Sequence, residues 1–305
     1  MTILVTGGTG NLGRHIVERL LLTGRTVRVL TRDGGVARLP TGVELVEGDL
    51  EQPSSLASAL DGVGAMHLLG TTGANHSPLR TGGEILAMAA EAGVRRITVL
   101  SPGDGQELDG AVRRSGLEWT FLWPVDLMSN TLGWGDAIRA EGRVREPYGD
   151  RRTASVHEAD VADVISTILT AGGHAGRSYI LTGPQALSPA DKTAALSAAT
   201  GREIHFTHMT DTQARELWRA QGWPEEGIDF MLQMWATVPT TVADVTSSVE
   251  RVTGCPPRSF TQWAAAHAET FRSVGSDSET GAEHAPSRRR PRGNHSSKAT
   301  GNVHG

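Results

Sequence analysis

The chain has 305 residues, of which 38% are hydrophobic, and a formal net charge of −5 at pH 7. That length suits one large domain, or a larger domain with a small lobe beside it. The acidic balance speaks against general binding of nucleic acid, so no nucleic-acid partner is expected. No apolar run approaches the roughly 18 residues that cross a bilayer, and the start of the chain has no signal-peptide pattern. We therefore expect a cytoplasmic protein without a membrane partner.

Cysteine and histidine usage predicts no metal site. The chain contains one cysteine, which excludes an internal disulfide and a cluster of Cys ligands. The histidines are scattered and lack the spacing of metal-binding motifs.

In the first half of the chain, short apolar runs alternate with longer amphipathic stretches. Strands are predicted at residues 2–6, 26–31, 43–47, 65–69, 96–100 and 119–122. Helices are predicted between them, at residues 12–22, 53–60, 78–92 and 106–115. Strand–helix alternation at this spacing predicts an α/β fold with a parallel sheet and helices on both faces.

The second half has a different pattern. A strand is predicted at 154–157, a helix at 158–170 and another strand at 178–181. From 188 to 272 the pattern is mostly helical, which predicts a smaller lobe beside the sheet that covers the cleft. Residues 273–305 contain almost no apolar side chains, and a segment that cannot bury apolar surface is predicted to be a disordered tail.

These patterns define the expected domain organisation. One domain is predicted over 1–272, with its core at about 1–150 plus a strand at about 177–182. The smaller, mostly helical lobe is predicted at about 184–272.

The strongest local signal is the glycine-rich sequence VTGGTGNLGR at residues 5–14, which follows the first predicted strand and opens the first predicted helix. Gly7 allows a tight turn, Gly10 leaves room for a pyrophosphate near the backbone, and Gly13 lets the helix pack close to the sheet. The helix N-terminus then offers N–H groups and partial positive charge to the phosphates. This arrangement predicts a Rossmann-type, doubly wound parallel sheet that binds a dinucleotide. The residues predicted to bind it in this turn are Thr6, Gly7, Thr9, Gly10, Asn11, Leu12 and Gly13.

The glycine sequence resembles the short-chain dehydrogenase/reductase superfamily, and more narrowly its atypical NmrA-like branch. Residues 114–124, 156–162, 179–184, 252–260 and 268–271 are also similar to that branch in order and spacing, although Trp123 stands where its members usually have Arg. The branch contains NADPH-dependent reductases of quinones and related carbonyl compounds. It also contains non-catalytic proteins that sense the dinucleotide. The resemblance therefore implies an NAD(P)H-binding protein.

The end of the second predicted strand favours NADP as the cofactor, with NAD left open. NAD-binding proteins usually have a carboxylate at this point, whereas Arg32 offers a guanidinium for a 2′-phosphate. Arg38 could assist, and Asp33 could instead turn toward the ribose or pair with Arg32. The resemblance implies that Asp49 hydrogen-bonds the adenine amino group, with a cap of the next helix as the alternative. The cofactor residues predicted in this part of the chain are Arg32, Asp49 and Leu50.

The usual acid of short-chain reductases is missing. Those enzymes use Tyr-x-x-x-Lys on a helix, and the Tyr protonates the carbonyl oxygen of the substrate. Here Tyr148 is predicted in a turn and has Arg152 at the fourth place, while Tyr179 is predicted in a strand. This counts against an alcohol dehydrogenase or a sugar epimerase.

The catalytic candidates come from loops after predicted strands, because ligands of open parallel sheets bind beyond the carboxyl ends of the strands. These loops are residues 70–76, 101–105 and 123–130. Ser101 could hydrogen-bond an acceptor oxygen, unless it caps the strand end. His76 could donate a proton, unless it is an ordinary surface residue.

Together these features predict an NADPH-dependent oxidoreductase that transfers hydride to a quinone-like or enone-like small molecule. Such acceptors need the missing acid less strictly, because the anion formed from them is already stabilised. One alternative is a non-catalytic, dinucleotide-sensing regulatory protein of the NmrA-like type. Another is a redox or isomerase step on a dedicated biosynthetic substrate. A homodimer is left open.

Overall fold

The computed structural model describes residues 1–33, 39–72, 77–101, 107–237 and 240–272. The first half contains β1 (Thr2–Thr6), α1 (Asn11–Leu21), β2 (Thr26–Thr31), β3 (Val43–Glu47), α2 (Ala57–Leu60), β4 (Val63–Leu69), β5 (Thr71–Thr72), β6 (Ser77–Pro78), α3 (Gly82–Glu91), β7 (Arg96–Leu100), α4 (Glu107–Arg114) and β8 (Glu118–Pro124). The second half contains α5 (Gly135–Glu141), β9 (Arg143–Pro147), α6 (Glu158–Ala171), β10 (Arg177–Leu181), α7 (Pro189–Thr200), β11 (His205–Met209), α8 (Asp211–Ala220), α9 (Glu225–Ala236), α10 (Ser248–Thr253), α11 (Phe260–Ala266) and α12 (Ala268–Phe271). Short 3₁₀ helices lie at Pro53–Leu56, Met128–Trp134 and Thr240–Ala243. The predicted tail, residues 273–305, lies outside the described residues.

A seven-stranded parallel sheet organises the described part of the chain. Its strand order is β10-β8-β7-β4-β1-β2-β3, so the chain moves outward from β1 in one direction and then returns to extend the sheet in the other. All neighbouring strands are parallel. Their carboxyl ends therefore lie on one edge, where loops that are distant in sequence meet. The predicted Rossmann-type α/β fold is confirmed.

The two faces of the sheet bury separate sets of apolar side chains. On β1, Ile3 and Val5 belong to one core and Leu4 to the other, which is the alternation that a strand imposes. Helices α1 and α6 cover the first face with residues such as Ile16 and Ile165. Helices α2, α3 and α4 cover the second. Among the described helices, none is both long and apolar enough to cross a membrane.

A second sheet, which sequence patterns did not predict, joins β9, from within residues 1–150, to β11 of the C-terminal lobe. Strands β9 and β11 pair in parallel, and Arg143 lies opposite His205 at the start of the register. The lobe packs around two tryptophans. Trp263 is fully buried among α7, α11 and α12, and Trp218 lies in a smaller core formed by α8 and α9.

Two predictions about local structure are wrong. Residues 154–157 form no strand; Val156 makes only an isolated bridge with Leu127, because this segment runs beside the loop that follows β8. The helix predicted from Pro78 begins at Gly82 instead. Pro78 belongs to the two-residue strand β6, which pairs with β5.

A neutral histidine is buried in the middle of the sheet. His67 on β4 is 1% exposed, and its Nδ1 lies 2.9 Å from the Thr98 hydroxyl on β7. Its Nε2 is buried and has no hydrogen-bond partner among the described residues. Burial lowers the pKa of His67 from 6.5 to about 4. The folded protein therefore holds this ring uncharged at neutral pH.

His67 makes the stability of the fold depend on pH. As pH falls below 6.5, His67 becomes protonated in the unfolded chain, whereas in the folded chain it stays neutral until pH approaches 4. The stability that is present above pH 6.5 is therefore lost between these two pH values. We expect the free energy of unfolding to fall by about 2 kcal/mol from this group between about pH 7.5 and about pH 5. Urea denaturation of wild type and His67→Asn at both pH values measures the free energy of unfolding. The variant should lack the part of the fall that comes from His67. The exposed control His205→Asn should keep it. An identical pH dependence in wild type and His67→Asn would contradict the assignment.

Candidate active site

The glycine turn joins β1 to α1 at the carboxyl edge of the sheet. Gly7 has φ +69°, a left-handed conformation that favours glycine. The N–H of Gly10 donates to the Gly7 carbonyl (3.0 Å), and the Arg14 N–H donates to the Gly10 carbonyl (3.1 Å), which starts the helix. The first turn of α1 has no acidic residue, and no side chain caps it. Its free N–H groups and partial positive charge are therefore left for an anion.

Gly10 and Gly13 lack side chains for different reasons. A Cβ built on Gly10 would have only the Gly7 carbonyl oxygen nearby, at 3.4 Å, so the space beside it is open. A Cβ on Gly13 would lie 2.0 Å from that same oxygen and 2.7 Å from the Gly8 Cα. The tight contact at Gly13 is therefore with the turn itself, rather than with the sheet as predicted. Gly10 leaves a cradle that fits a pyrophosphate.

A long cavity of about 450 Å³, here called the edge cavity, extends from the glycine turn across the ends of β2, β3 and β4. The predicted cofactor residues that line it are Thr6, Gly7, Thr9, Arg32, Asp49 and Leu50. Gly10, Asn11, Leu12 and Gly13 do not line it but form the start of α1 beside it. Sequence reasoning missed other lining residues, which are Leu30, Thr31, Gly48, Glu51, Leu69, Thr71 and Thr72. All of these lie within the last two residues of β2 or β4 or within four residues after β3 or β4, which is the signal that could have identified them.

Several of these side chains also have structural roles. The Thr6 hydroxyl donates to the His67 carbonyl (3.0 Å) and accepts from the Leu69 N–H (2.9 Å), so it holds β1 to β4. Asp49 does not cap the following helix, which begins after Gln52 without a side-chain cap. One Asp49 oxygen instead accepts the Glu51 N–H at 3.0 Å, within its own turn.

A smaller apolar cavity of about 210 Å³, here called the strand-end hollow, lies at the ends of β4, β7 and β8. It shares Leu69 and Thr71 with the edge cavity, so the two lie side by side. Its wall includes Ser101 and Trp123. None of its described lining residues is charged.

The two catalytic candidates have different outcomes. Ser101 does line the strand-end hollow, but its hydroxyl donates to the carboxylate of Asp109 (2.6 Å), which is completely buried in α4. The Ser101 oxygen is thus better placed to accept than to donate. His76 lies outside the described residues, as does Arg38.

The two tyrosines lie away from both cavities. Tyr148 is in a turn with φ +55°, as predicted, and its hydroxyl donates to Asp211 (2.9 Å). Tyr179 is in β10, and its hydroxyl lies 2.8 Å from the ring of His174. Neither tyrosine is placed to protonate a ligand in the strand-end hollow.

Comparison with known proteins identifies the family. Residues 7–171 match the NAD(P)H-binding family. The chain is 35% identical to the NAD(P)H azoreductase of Xenophilus azovorans, over 88% of this chain and 99% of that protein. It is 38% identical to the (4-alkanoyl-5-oxo-2,5-dihydrofuran-3-yl)methyl phosphate reductase of Streptomyces griseus, over the same shares. A crystal structure of the NADPH-dependent quinone oxidoreductase of Escherichia coli with NADPH shares the fold, with a TM-score of 0.71 at 22% identity over 87% of this chain and 99% of that one.

The chain therefore belongs to the NAD(P)H-binding family. The predicted family and the predicted nicotinamide dinucleotide cofactor are confirmed at this level. Because both curated relatives are reductases, the comparison supports an oxidoreductase function.

Substitutions at the two glycines should separate cofactor binding from folding. Gly10→Val should keep its extended backbone and cost less than about 1 kcal/mol of stability, but it should weaken NADPH binding at least ~10-fold by filling the cradle. Gly13→Ala should lower the free energy of unfolding by about 3 kcal/mol through its clash with the Gly7 carbonyl. Denaturation curves and NADPH fluorescence titrations measure both effects. Normal NADPH affinity in Gly10→Val would show that the phosphates bind elsewhere.

Proposed function

We propose that this protein is an NADPH-dependent reductase that transfers hydride to a flat, conjugated acceptor of quinone-like or enone-like type. The observation that carries the proposal is that the strand-end hollow lies beside the edge cavity, with Leu69 and Thr71 in the lining of both. A dinucleotide whose phosphates lie at the start of α1 and whose adenosine end lies near Arg32 would direct its other end into the hollow. The hollow would then hold both the reactive ring and the acceptor.

The walls of the strand-end hollow suit a neutral, flat acceptor. Leu100, Leu122 and Pro124 provide apolar surface, and the indole of Trp123 provides an aromatic face for stacking. An Arg at position 123, which is usual in the branch that the chain resembles, would place a charge there. Trp123 therefore favours a conjugated ring over a charged reacting group.

The proposed chemistry does not require the tyrosine acid of short-chain reductases, and neither Tyr148 nor Tyr179 lines the strand-end hollow. A bound nicotinamide cofactor supplies a hydride, which is a proton with two electrons, from ring carbon C4. A quinone or enone that receives it becomes a stabilised oxyanion, which can then take a proton from solvent. The chain's contribution is to hold the acceptor beside the ring and to exclude other geometries.

Ser101 fits this scheme as a positioning residue. Its proton is directed at the buried carboxylate of Asp109, and the residue lines the strand-end hollow. We therefore revise the predicted role of Ser101: instead of donating to the acceptor oxygen, it holds the wall of the hollow in place.

The relatives support this substrate class. An azo bond is a conjugated, electron-poor double bond, and the azoreductase acts on that class of bond. The dihydrofuranone named in the Streptomyces griseus reductase contains a carbon–carbon double bond conjugated to carbonyl groups, as an enone does. The feature common to these acceptors and quinones is conjugation that stabilises the added electron pair.

Selectivity for NADPH is proposed from the end of β2. Arg32 lines the edge cavity, where its guanidinium can face a 2′-phosphate. Asp33 lines the same cavity, and its backbone carbonyl accepts from the Thr31 hydroxyl at 3.0 Å. The order of the two side chains along the turn places Arg32 directly after the strand, at the position where NAD-binding proteins usually have a carboxylate.

Arg32→Glu should weaken NADPH binding by ~2 kcal/mol, through loss of a charge-assisted contact with the phosphate, and should affect NADH much less. Titrations of both cofactors measure the ratio. The control is Arg25→Glu, which makes the same charge change at an exposed site at the opposite end of β2. Equal weakening of NADPH and NADH would contradict the proposed selectivity.

Turnover separates the reductase from a dinucleotide sensor. We expect purified protein to oxidise NADPH when a simple quinone or enone is present, at least ~10-fold faster than the mixture without protein, because positioning raises the effective concentration of the acceptor. Loss of NADPH absorbance across a panel of acceptors measures the rate, with Gly10→Val as the inactive control. Tight NADPH binding without reduction of any acceptor would favour the non-catalytic sensor.

A further inference from the structure

A third cavity of about 340 Å³, here called the lobe cavity, is lined in part by the residues that directly follow β8. The hollow includes Pro124, the last residue of β8, and the lobe cavity includes Val125 and Asp126, which follow directly. Its other walls come from the C-terminal lobe, including β9 and helices α7 and α9. An acceptor that reacts in the hollow could therefore extend into the lobe cavity.

One side of the lobe cavity contains an ion pair, Asp126 with Lys192, whose members make several further hydrogen bonds. The Asp126 carboxylate accepts from the Lys192 ammonium (3.0 Å) and from the Asn130 amide (2.8 Å), and it also accepts from Ser155. Lys192 donates a further hydrogen bond to Thr153 at 3.3 Å. The oxygens of Asp126 thus already accept several hydrogen bonds from within the protein, which leaves them little capacity to bind a ligand. The same contacts, with the charge of Lys192, lower the pKa of Asp126 against the opposing effect of burial.

The second ion pair, Glu146 with Arg151, makes fewer hydrogen bonds and has a longer contact between its members. Glu146 accepts from the Trp134 indole N–H at 2.7 Å, but its contact with Arg151 is 3.3 Å, which is long for a charge-assisted hydrogen bond. The Arg151 guanidinium lies over the ring of Trp235, 4.5 Å from its centroid. Its Nη1 is buried and has no hydrogen-bond partner among the described residues.

The unmet hydrogen-bonding capacity of this cavity is therefore on the donor side. Both carboxylates have at least two donors, whereas the Arg151 guanidinium keeps unused N–H groups and cannot lose its charge. A buried donor without a partner is unfavourable, so a ligand oxygen that accepts from it gains affinity. A small rotation of the loosely paired guanidinium on the face of Trp235 would present it to the cavity.

We propose that the lobe cavity binds an oxyanion substituent of the acceptor, such as a carboxylate, sulfonate or phosphate, and that Arg151 recognises it. The planar guanidinium matches two oxygens of such a group, and Trp235 keeps its plane fixed. Met231 and Met234 on α9 also line the cavity and can adapt to the shape of the ligand. This proposal rests on the proposed reductase function, because it places the reacting part of the same acceptor in the strand-end hollow.

Paired acceptors test the recognition by kinetics. Naphthoquinone and its sulfonate are compared as acceptors for wild type, Arg151→Met and Arg152→Met. Arg151→Met keeps an apolar chain over Trp235 and should raise KM for the sulfonate about tenfold or more, with less than about a twofold change for the neutral quinone. Arg152→Met is the matched control, because Arg152 is exposed and pairs with Asp191 outside the cavity, and it should change neither KM. Equal effects of Arg151→Met on both acceptors, or no effect on either, would overturn the proposal.

A binding measurement keeps the test independent of turnover and of folding. Calorimetry on the protein saturated with NADP⁺ compares naphthalenesulfonate with the neutral naphthalenesulfonamide. The double variant Arg151→Met/Glu146→Gln removes the ion pair as a unit, so it leaves no unpaired buried charge. The sulfonate should bind wild type about tenfold more tightly than the sulfonamide, and the double variant should lose that difference. If wild type reduces no quinone, the proposed function fails, while equal binding of sulfonate and sulfonamide to wild type is the result that overturns the anion site.

Discussion

The close contact between Gly13 and the carbonyl of Gly7 is the constraint on which the rest of the site depends. The Cα of Gly13 lies so near this oxygen that a single methyl group would be 2.0 Å from it. This contact fixes the direction of α1 relative to β1, and it brings the N-terminus of the helix to the carboxyl edge of the sheet. The open cradle at Gly10 and the uncapped first turn follow from that direction. An uncapped helix N-terminus with open space beside it, which the proposed function assigns to the phosphates, thus arises from backbone packing.

Taken in the order edge cavity, strand-end hollow and lobe cavity, the three cavities have linings of different polarity. The edge cavity is lined by threonines, Arg32 and Asp33, which suits a sugar–phosphate chain. The strand-end hollow is uncharged in its described lining, which suits hydride transfer to a neutral ring. The lobe cavity contains two ion pairs with donors in excess around Arg151. This order allows one acceptor to place its conjugated part and its polar substituent in different environments.

The parts of the fold that could be predicted from the sequence are those with local signals. The strands β1, β2, β3 and β7 have the predicted bounds, because each is a short apolar run between turn residues. The pairing of β9 with β11 could not be predicted, since the sequence Arg-Val-Arg-Glu-Pro of β9 has little apolar alternation and its partner is about 60 residues away. The segment 154–157 has a strand-like sequence, but it meets no free sheet edge and forms one bridge only.

The same distinction applies to the candidate site. The glycine turn and Arg32 could be predicted from the sequence, because their positions relative to strands and helices are fixed by short-range spacing. The orientation of the Ser101 hydroxyl could not be predicted, because it depends on a hydrogen bond to the buried carboxylate of Asp109 in α4. The lobe cavity could not be foreseen either, since Asp126, Glu146 and Lys192 come from three separate elements. Long-range packing gives these three groups their partners and leaves Nη1 of Arg151 without one among the described residues.

The most direct test of the account is the fate of the hydride. NADPH carrying deuterium on one or the other face of ring carbon C4 is oxidised by the protein with a simple enone, and the product is analysed by mass spectrometry and NMR. Because the edge cavity would present only one face of the ring to the strand-end hollow, the account predicts that one of the two labelled cofactors delivers its deuterium to the β-carbon of the enone, while the other retains it. Transfer from both faces alike, or a reduced product that contains no deuterium from either cofactor, would contradict direct hydride transfer in this site.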